Sequence, residues 1–327
     1  MIKEILTFLV CPKSGQNLLL KDEITKDGRI QSGNLVSEDG KIKYEIVNFI
    51  PRFVEKSNYA DNFGMQWNKF RKTQLDSFSK VPISEDRFWK STGWKNESLK
   101  ENIILDAGCG SGRFSEIALK AGATIIAIDY SNAVDAAYKN LGENKNFNVI
   151  QADLFNLPFK KNTFDKVFCF GVLQHTPKPS EGIVSLSKVL KIKGKICVDI
   201  YWKRFRSLLH VKYLLRPFTK RMNREKLLKI IIFLAPFLLM LSSFLLKIPL
   251  LGKYLYRLVP FANYKGIYPL NNSQLLEWGI LDTFDMLSPT YDNPQSQKTL
   301  INWLKDEGFE DTSSIHSTLL AARGTKK

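Results

Sequence analysis

Between positions 102 and 200 the chain repeats one pattern of short apolar run, turn and helical stretch. The runs are Ile103-Ile104-Leu105, Thr124-Ile125-Ile126-Ala127-Ile128, Phe147-Asn148-Val149-Ile150, Lys166-Val167-Phe168-Cys169-Phe170 and Lys195-Ile196-Cys197-Val198. Five short buried strands separated by helices specify a parallel sheet covered on both faces. Before them, Phe63, Trp67 and Phe70 recur at helical spacing, which predicts a packed aromatic stripe. The first ~55 residues alternate polar and apolar positions among Gly28, Gly33 and Gly40, as a small β-rich unit would, and Pro51 is expected to end its last strand and open a linker. Helices are expected from Asn271 and over Gln297–Glu307, then strands around Ser314–His316 and Thr318–Ala322.

The expected architecture is therefore an α/β, Rossmann-like, doubly wound and mostly parallel seven-stranded sheet. It falls into segments of roughly 1–55 (β-rich unit), 56–100 (helical linker or cap), 101–200 (core), 201–270 (helical insertion after the fifth strand) and 271–327 (closing part of the fold).

Composition changes this picture in one place. Residues 201–270 hold fourteen Lys and Arg against the single acid Glu225, so +13 of the formal +16 lies there. Inside that segment Ile230–Leu246 is seventeen residues without a charge, slightly short of the roughly 20 a spanning helix needs. A helical cap over the acceptor site is the first reading of this combination, and a cap that also lies on an anionic membrane surface is the alternative. The four cysteines, Cys11, Cys109, Cys169 and Cys197, form no C-x-x-C pair, and the first residues lack a secretory signal pattern. The expected location is cytoplasmic, including peripheral attachment at the cytoplasmic face of the inner membrane.

The chemistry is concentrated at the strand ends. The first strand runs into Asp106-Ala107-Gly108-Cys109-Gly110-Ser111-Gly112, a carboxylate followed by three alternate glycines before a helix near Phe114. Such a turn brings backbone close to a ligand and aims unpaired N–H groups at an anionic group. A dinucleotide fingerprint would need glycine at position 113, which is Arg113. Asp129 ends the second strand, where a carboxylate accepts from ribose hydroxyls, and Asp153 follows the third, placed to accept from an exocyclic amine. Any one such acid is usually a cap or a solvated loop residue; three at successive strand ends point to a nucleoside cofactor.

These residues, with Gln151-Ala152-Asp153-Leu154, Pro158-Phe159, Thr163-Phe164-Asp165, Val172-Leu173-Gln174-His175 and Val189-Leu190-Lys191 through Gly194, resemble the class I methyltransferases, in the branch of ubiquinone and menaquinone methyltransferases. The resemblance implies S-adenosylmethionine as cofactor, bound by Asp106, Gly108, Gly110, Gly112, Asp129, Tyr130, Asp153, Leu154, Phe170 and Gln174. His175 becomes a candidate general base. The opening segment, with Leu9-Val10-Cys11-Pro12 and Tyr44-Glu45-Ile46 through Ile50-Pro51, resembles a zinc-ribbon-like unit. Its four ligand positions hold Cys11, Ser14, Ser37 and Gly40, so no metal is expected there.

Tyr59 through Trp67, Gln74-Leu75-Asp76, and Asp282 through Pro289 with Tyr291-Asp292 resemble a bacterial subfamily associated with surface-polysaccharide or lipid-linked glycan pathways. Gln66, Trp67, Asp282, Asp285 and Tyr291 are the candidates to line an acceptor pocket, because sugar recognition combines carboxylates, amides and ring faces. The expected acceptor is a small molecule, a glycan or a lipid-linked molecule. RNA methylation, suggested by charge alone, and a non-catalytic cofactor-binding regulator are the alternatives; with no RNA-binding module in the sequence, no nucleic-acid partner is expected.

Overall fold

A computed structural model describes every residue except 56–57, 205–209 and 317–318. Its strands are β1 (Leu18–Lys26), β2 (Arg29–Ser37), β3 (Lys43–Val47), β4 (Ile50–Arg52), β5 (Ile103–Ala107), β6 (Thr124–Asp129), β7 (Phe147–Gln151), β8 (Phe164–Cys169), β9 (Leu190–Ile200), β10 (Phe309–His316) and β11 (Leu320–Lys326). They form one sheet in the order β1-β2-β3-β4-β7-β6-β5-β8-β9-β11-β10. From β7 through β9 neighbours run parallel, and β11 closes antiparallel on β9, with Leu320 opposite Ile200 and Arg323 opposite Cys197. The strand order reverses between β5 and β8, and at such a switch point a crevice opens beyond the strands' carboxyl ends.

The sheet has eleven strands rather than seven, because the N-terminal unit is continuous with it. Pro51 does not end the strand pattern; it lies within β4, whose residues Ile50 to Arg52 pair with β3. Asn48 and Phe49 both adopt positive φ between Val47 and Ile50, the type I′ form of a two-residue hairpin. Phe49 is held in that unusual conformation by stacking on Tyr138 at 5.2 Å. Beyond Pro51, Arg52 pairs in parallel with Gln151, and its guanidinium donates to the Gln151 side chain at 2.8 Å and to Asp135 at 2.7 Å. A proline is tolerated here because the strand is three residues long and its outer bonds come from its neighbours. Ile5, Leu9, Leu35 and Ile46 share a core with Leu105, Ile126 and Ile150. Cys11 is buried against the Tyr44 hydroxyl at 3.5 Å, and Ser37 donates to Asp39 within its own turn.

Helices cover the sheet. Asp61–Lys69 and Ile83–Thr92 precede β5, and Ser115–Lys120, Ala133–Leu141 and Pro179–Val189 follow β5, β6 and β8. Of the sequence between β9 and β10, Lys212–Thr219 and Arg224–Leu245 form helices, and both rest on helix Asn272–Leu287. That last helix starts with a reciprocal cap between Asn271 and Gln274, which satisfies two otherwise unpaired N–H groups. Helix Gln297–Asp306 ends before Gly308, in line with the pattern. Thr318, the expected start of the final strand, lies outside the described residues.

Candidate active site

A cavity of about 600 Å³ opens beyond the carboxyl ends of β5 to β9. The glycine turn forms one wall. Gly108 and Gly110 have φ of +86° and +53°, a conformation that costs little only without a side chain, and both line the cavity. A Cβ on Gly108 would stand 2.2 Å from Val172, so close packing as well as φ demands glycine there. Gly112 works elsewhere: its missing Cβ makes room for Leu141 on the neighbouring helix, and it does not line the cavity.

Asp129 accepts from the Gly110 N–H at 3.0 Å and from the Ser131 N–H and hydroxyl at 2.8 and 2.7 Å. Burial raises its carboxyl above the usual range, against the pull of those bonds. Asp153 holds its own turn through the Phe155 N–H and the Asn156 amide, each at 2.9 Å, and lines the cavity beside Leu154. Tyr130 and Tyr59, tilted against each other at 5.1 Å, cover this end, while Phe170 lines the opposite side. Asp106 is placed differently from the expectation. It is buried behind the turn, accepts from the Ser115 hydroxyl at 2.6 Å, and so pins the helix that follows the glycines.

Gln66 and Gln174, both fully buried, line the cavity, and neither amide has a partner at its nitrogen or oxygen among the described residues. Buried polar atoms left without any partner cost roughly 1–3 kcal/mol each, so these four are available to a ligand. Their presence in that wall fits polar ligands, with Gln174 placed for a cofactor of the expected kind. Trp67 packs its indole over Gly110, so its place is on the glycine turn.

His175 sits in a buried 3-10 turn, Leu173–His175. Its Nδ1 is 3.1 Å from the Tyr291 carbonyl, and its Nε2 faces Asp285 at 3.7 Å. Tyr201, the residue after β9, donates its hydroxyl to the same Asp285 oxygen at 2.8 Å. Burial pushes the Asp285 carboxyl up, but His175, Tyr201 and Lys212 together hold it below the usual range. Tyr291 does not line the cavity; its backbone holds His175 and its ring packs edge-on against Tyr59. Two residues on, Asn293 donates through its backbone to the Gln174 carbonyl and through its amide to the Thr176 carbonyl, both at 2.8 Å. The segment Tyr291–Gln295 thus straps the loops after β8 and β9.

Asp282 lines the cavity floor but is already fully engaged, accepting from Gln74 at 2.9 Å, Tyr264 at 2.5 Å and Trp278 at 3.1 Å. Burial lifts its carboxyl to about 6. Gln74 also accepts from Arg113 at 2.7 Å, and Arg87 pairs with buried Asp199, which in turn accepts from Gly171 N–H at 2.6 Å. Arg87, Arg113, Tyr201, Tyr264 and Trp278 line the cavity without having been expected there. One signal was present: Arg113 stands where a dinucleotide loop would carry glycine.

The strand order, the glycine turn and the acids at the strand ends define a class I methyltransferase domain, of the S-adenosylmethionine-dependent kind. Residues 105–198 match the family described as methyltransferase domain. A ubiquinone biosynthesis O-methyltransferase of Coxiella burnetii is 30% identical over 115 residues, 35% of this chain and 49% of that protein. A tRNA U34 carboxymethyltransferase of Cellvibrio japonicus is 31% identical over 129 residues, 36% of this chain and 40% of that protein. The chain thus spans about half the length, or less, of these curated relatives. Among solved structures, magnesium protoporphyrin IX methyltransferase from Synechocystis with bound S-adenosylhomocysteine aligns at 15% identity, over 82% of this chain and 97% of that one, with a TM-score of 0.45.

Proposed function

We propose that the protein transfers a methyl group from S-adenosylmethionine to a small-molecule, glycan or lipid-linked acceptor. The observation that carries this reading is that one cavity joins Gly108, Gly110, Asp129 and Asp153 to the His175 and Asp285 pair. Gly110, Asp129, Asp153 and Gln174 would hold the cofactor, which when bound supplies an electrophilic methyl group.

The chain's own residues then have two tasks, to place an acceptor and to take its proton. A carbonyl only accepts, so the bond to Tyr291 puts a proton on the His175 Nδ1, and Nε2, facing Asp285 at 3.7 Å, is the nitrogen left to exchange a proton. Asp285 is positioned to offset the positive charge once Nε2 has taken a proton, and Tyr201 orients that carboxylate. Gln66 offers a donor and an acceptor to the polar groups of the acceptor, and Phe63 supplies a ring face.

Transfer of labelled methyl from S-adenosylmethionine into fractionated cell extract tests the reading. Label in a glycan, lipid or small-molecule fraction, lost with His175→Ala, supports it. Label in RNA, or cofactor binding without transfer into any fraction, rejects it.

A further inference from the structure

The face of the insertion turned away from the fold has no partner among the described residues. On helix Arg224–Leu245, Phe233, Phe237, Met240 and Phe244 recur every three or four residues, hence on one side, and are 82%, 57%, 65% and 64% exposed. Leu214 and Phe218, one turn apart on helix Lys212–Thr219, are exposed as well, as are Leu250 and Leu251. The opposite side of the long helix is occupied: Leu228, Ile231 and Ala235 are buried in a cluster with Ile280, Leu281 and Phe284. Soluble chains rarely leave so many large apolar side chains together in water. Around them stand exposed Lys220, Arg221, Lys226, Lys229, Lys247 and Lys253, and the whole stretch 201–270 contains one acid, Glu225.

We infer that this face docks on an anionic lipid bilayer, with the long helix lying in the plane of the interface. Charge selects this occupant. A second copy of the chain would bring one strongly basic face against another, whereas anionic headgroups complement it. By length and composition the helix, 22 residues long with a mean hydropathy of 2.3 over its most apolar 18, is long enough to cross a membrane. Its inner side is nevertheless tied to the fold, through the buried cluster and through Asn263, whose amide donates to Ser242 and Ser243 at 2.9 Å. Docking in the plane needs only the outer side to enter the boundary between headgroups and acyl chains, while lysines reach the headgroups.

The docked face and the cavity share segments. Tyr213 and Arg257 line the cavity, and the next residues, Leu214 and Leu258, are 74% and 64% exposed. A docked molecule therefore holds one wall of its cavity against the lipid. The consequence for a lipid-linked acceptor rests on the function proposed above; the docking does not, and the two fail separately because the test uses no acceptor.

Co-sedimentation of the full chain with vesicles of phosphatidylcholine, alone or mixed with phosphatidylglycerol, is the experiment. Pelleting should require phosphatidylglycerol and decline as salt shortens the screening length. The double substitution Phe233→Ser/Phe237→Ser should lower the bound fraction by roughly tenfold or more while S-adenosylhomocysteine affinity and melting temperature stay unchanged. Wild type that remains in the supernatant with anionic vesicles at low salt overturns the inference. So does undiminished pelleting of the double variant, or a lipid-free dimer in sedimentation velocity that the same variant dissociates.

Discussion

Nδ1 of His175 lies 3.1 Å from the carbonyl oxygen of Tyr291, a contact between residues 116 positions apart that leaves Nε2 facing Asp285. The chain reaches this geometry by returning, after the long insertion, to strap the loop that follows β8.

From that relationship His175→Ala should lower the rate of methyl transfer by roughly 10²–10⁴-fold, the usual contribution of a positioned base. Affinity for S-adenosylhomocysteine should hardly change, since no cofactor contact is removed. Asp285→Asn should give a smaller loss, because Nε2 remains but the imidazolium is no longer offset. Calorimetry on the same preparations as the transfer assay separates the effects; a variant that loses cofactor binding in step with rate would make His175 part of the cofactor wall.

Asp129→Ala should weaken S-adenosylhomocysteine by roughly 1.5–3 kcal/mol, the range for hydrogen bonds to a charged acceptor. Titration calorimetry reads this directly. Part of the loss will come from the glycine turn, because the same carboxylate accepts from Gly110 N–H. Asp129→Asn, which retains an oxygen acceptor, should recover a portion. Equal affinity in all three proteins would put the ribose elsewhere.

The partnerless amides give a prediction in two opposite directions. Gln66→Leu replaces a fully buried group with no hydrogen bonds by an apolar one of similar size, so the ligand-free protein should gain about 1 kcal/mol or more. Transfer should fall at the same time, because the amide's role is toward a ligand. A melting temperature that drops would mean Gln66 is already satisfied in the free protein, and unchanged transfer would remove it from the site.

What could be read from the sequence follows from how local each signal is. The five core strands are short, mostly apolar runs, and β5 to β9 fall on them because a strand buried on both faces has little freedom of composition. Gly108, Gly110, Asp129 and Asp153 were legible for a related reason, since each is fixed by its distance from a strand end. β4 was not, because a proline in a three-residue strand resembles a terminator until its partner Gln151 is known. Asp106 and Gly112 belong to the same motif yet serve packing, a division that depends on Ser115 and Leu141. Arg87 with Asp199, and Arg113 with Gln74 and Asp282, join residues from distant segments, and no spacing rule encodes such contacts.

Asp106 offers the last test, through pH. Burial raises its carboxyl to about 7, with nearby Asp129 adding to the rise and the Ser115 hydrogen bond opposing it. The folded protein therefore holds this proton more tightly than the unfolded chain, whose carboxyl titrates near the ordinary value of 3.8. Linkage then fixes the sign: the folded state is not penalised below about 4, loses stability as pH rises to about 7, and carries the full penalty above that. A rise from 3.8 to about 7 corresponds to roughly 4 kcal/mol as an upper figure. Asp106→Asn keeps an oxygen for the Ser115 hydroxyl and cannot ionise, so it removes the penalty without removing the bond. Its melting temperature relative to wild type, measured without cofactor, should already be somewhat higher near pH 5, where roughly a third of the penalty is present, and clearly higher still at pH 8. A difference that is the same at both values would mean that Asp106 does not titrate between them, and that its carboxyl is ionised, or protonated, across the whole range.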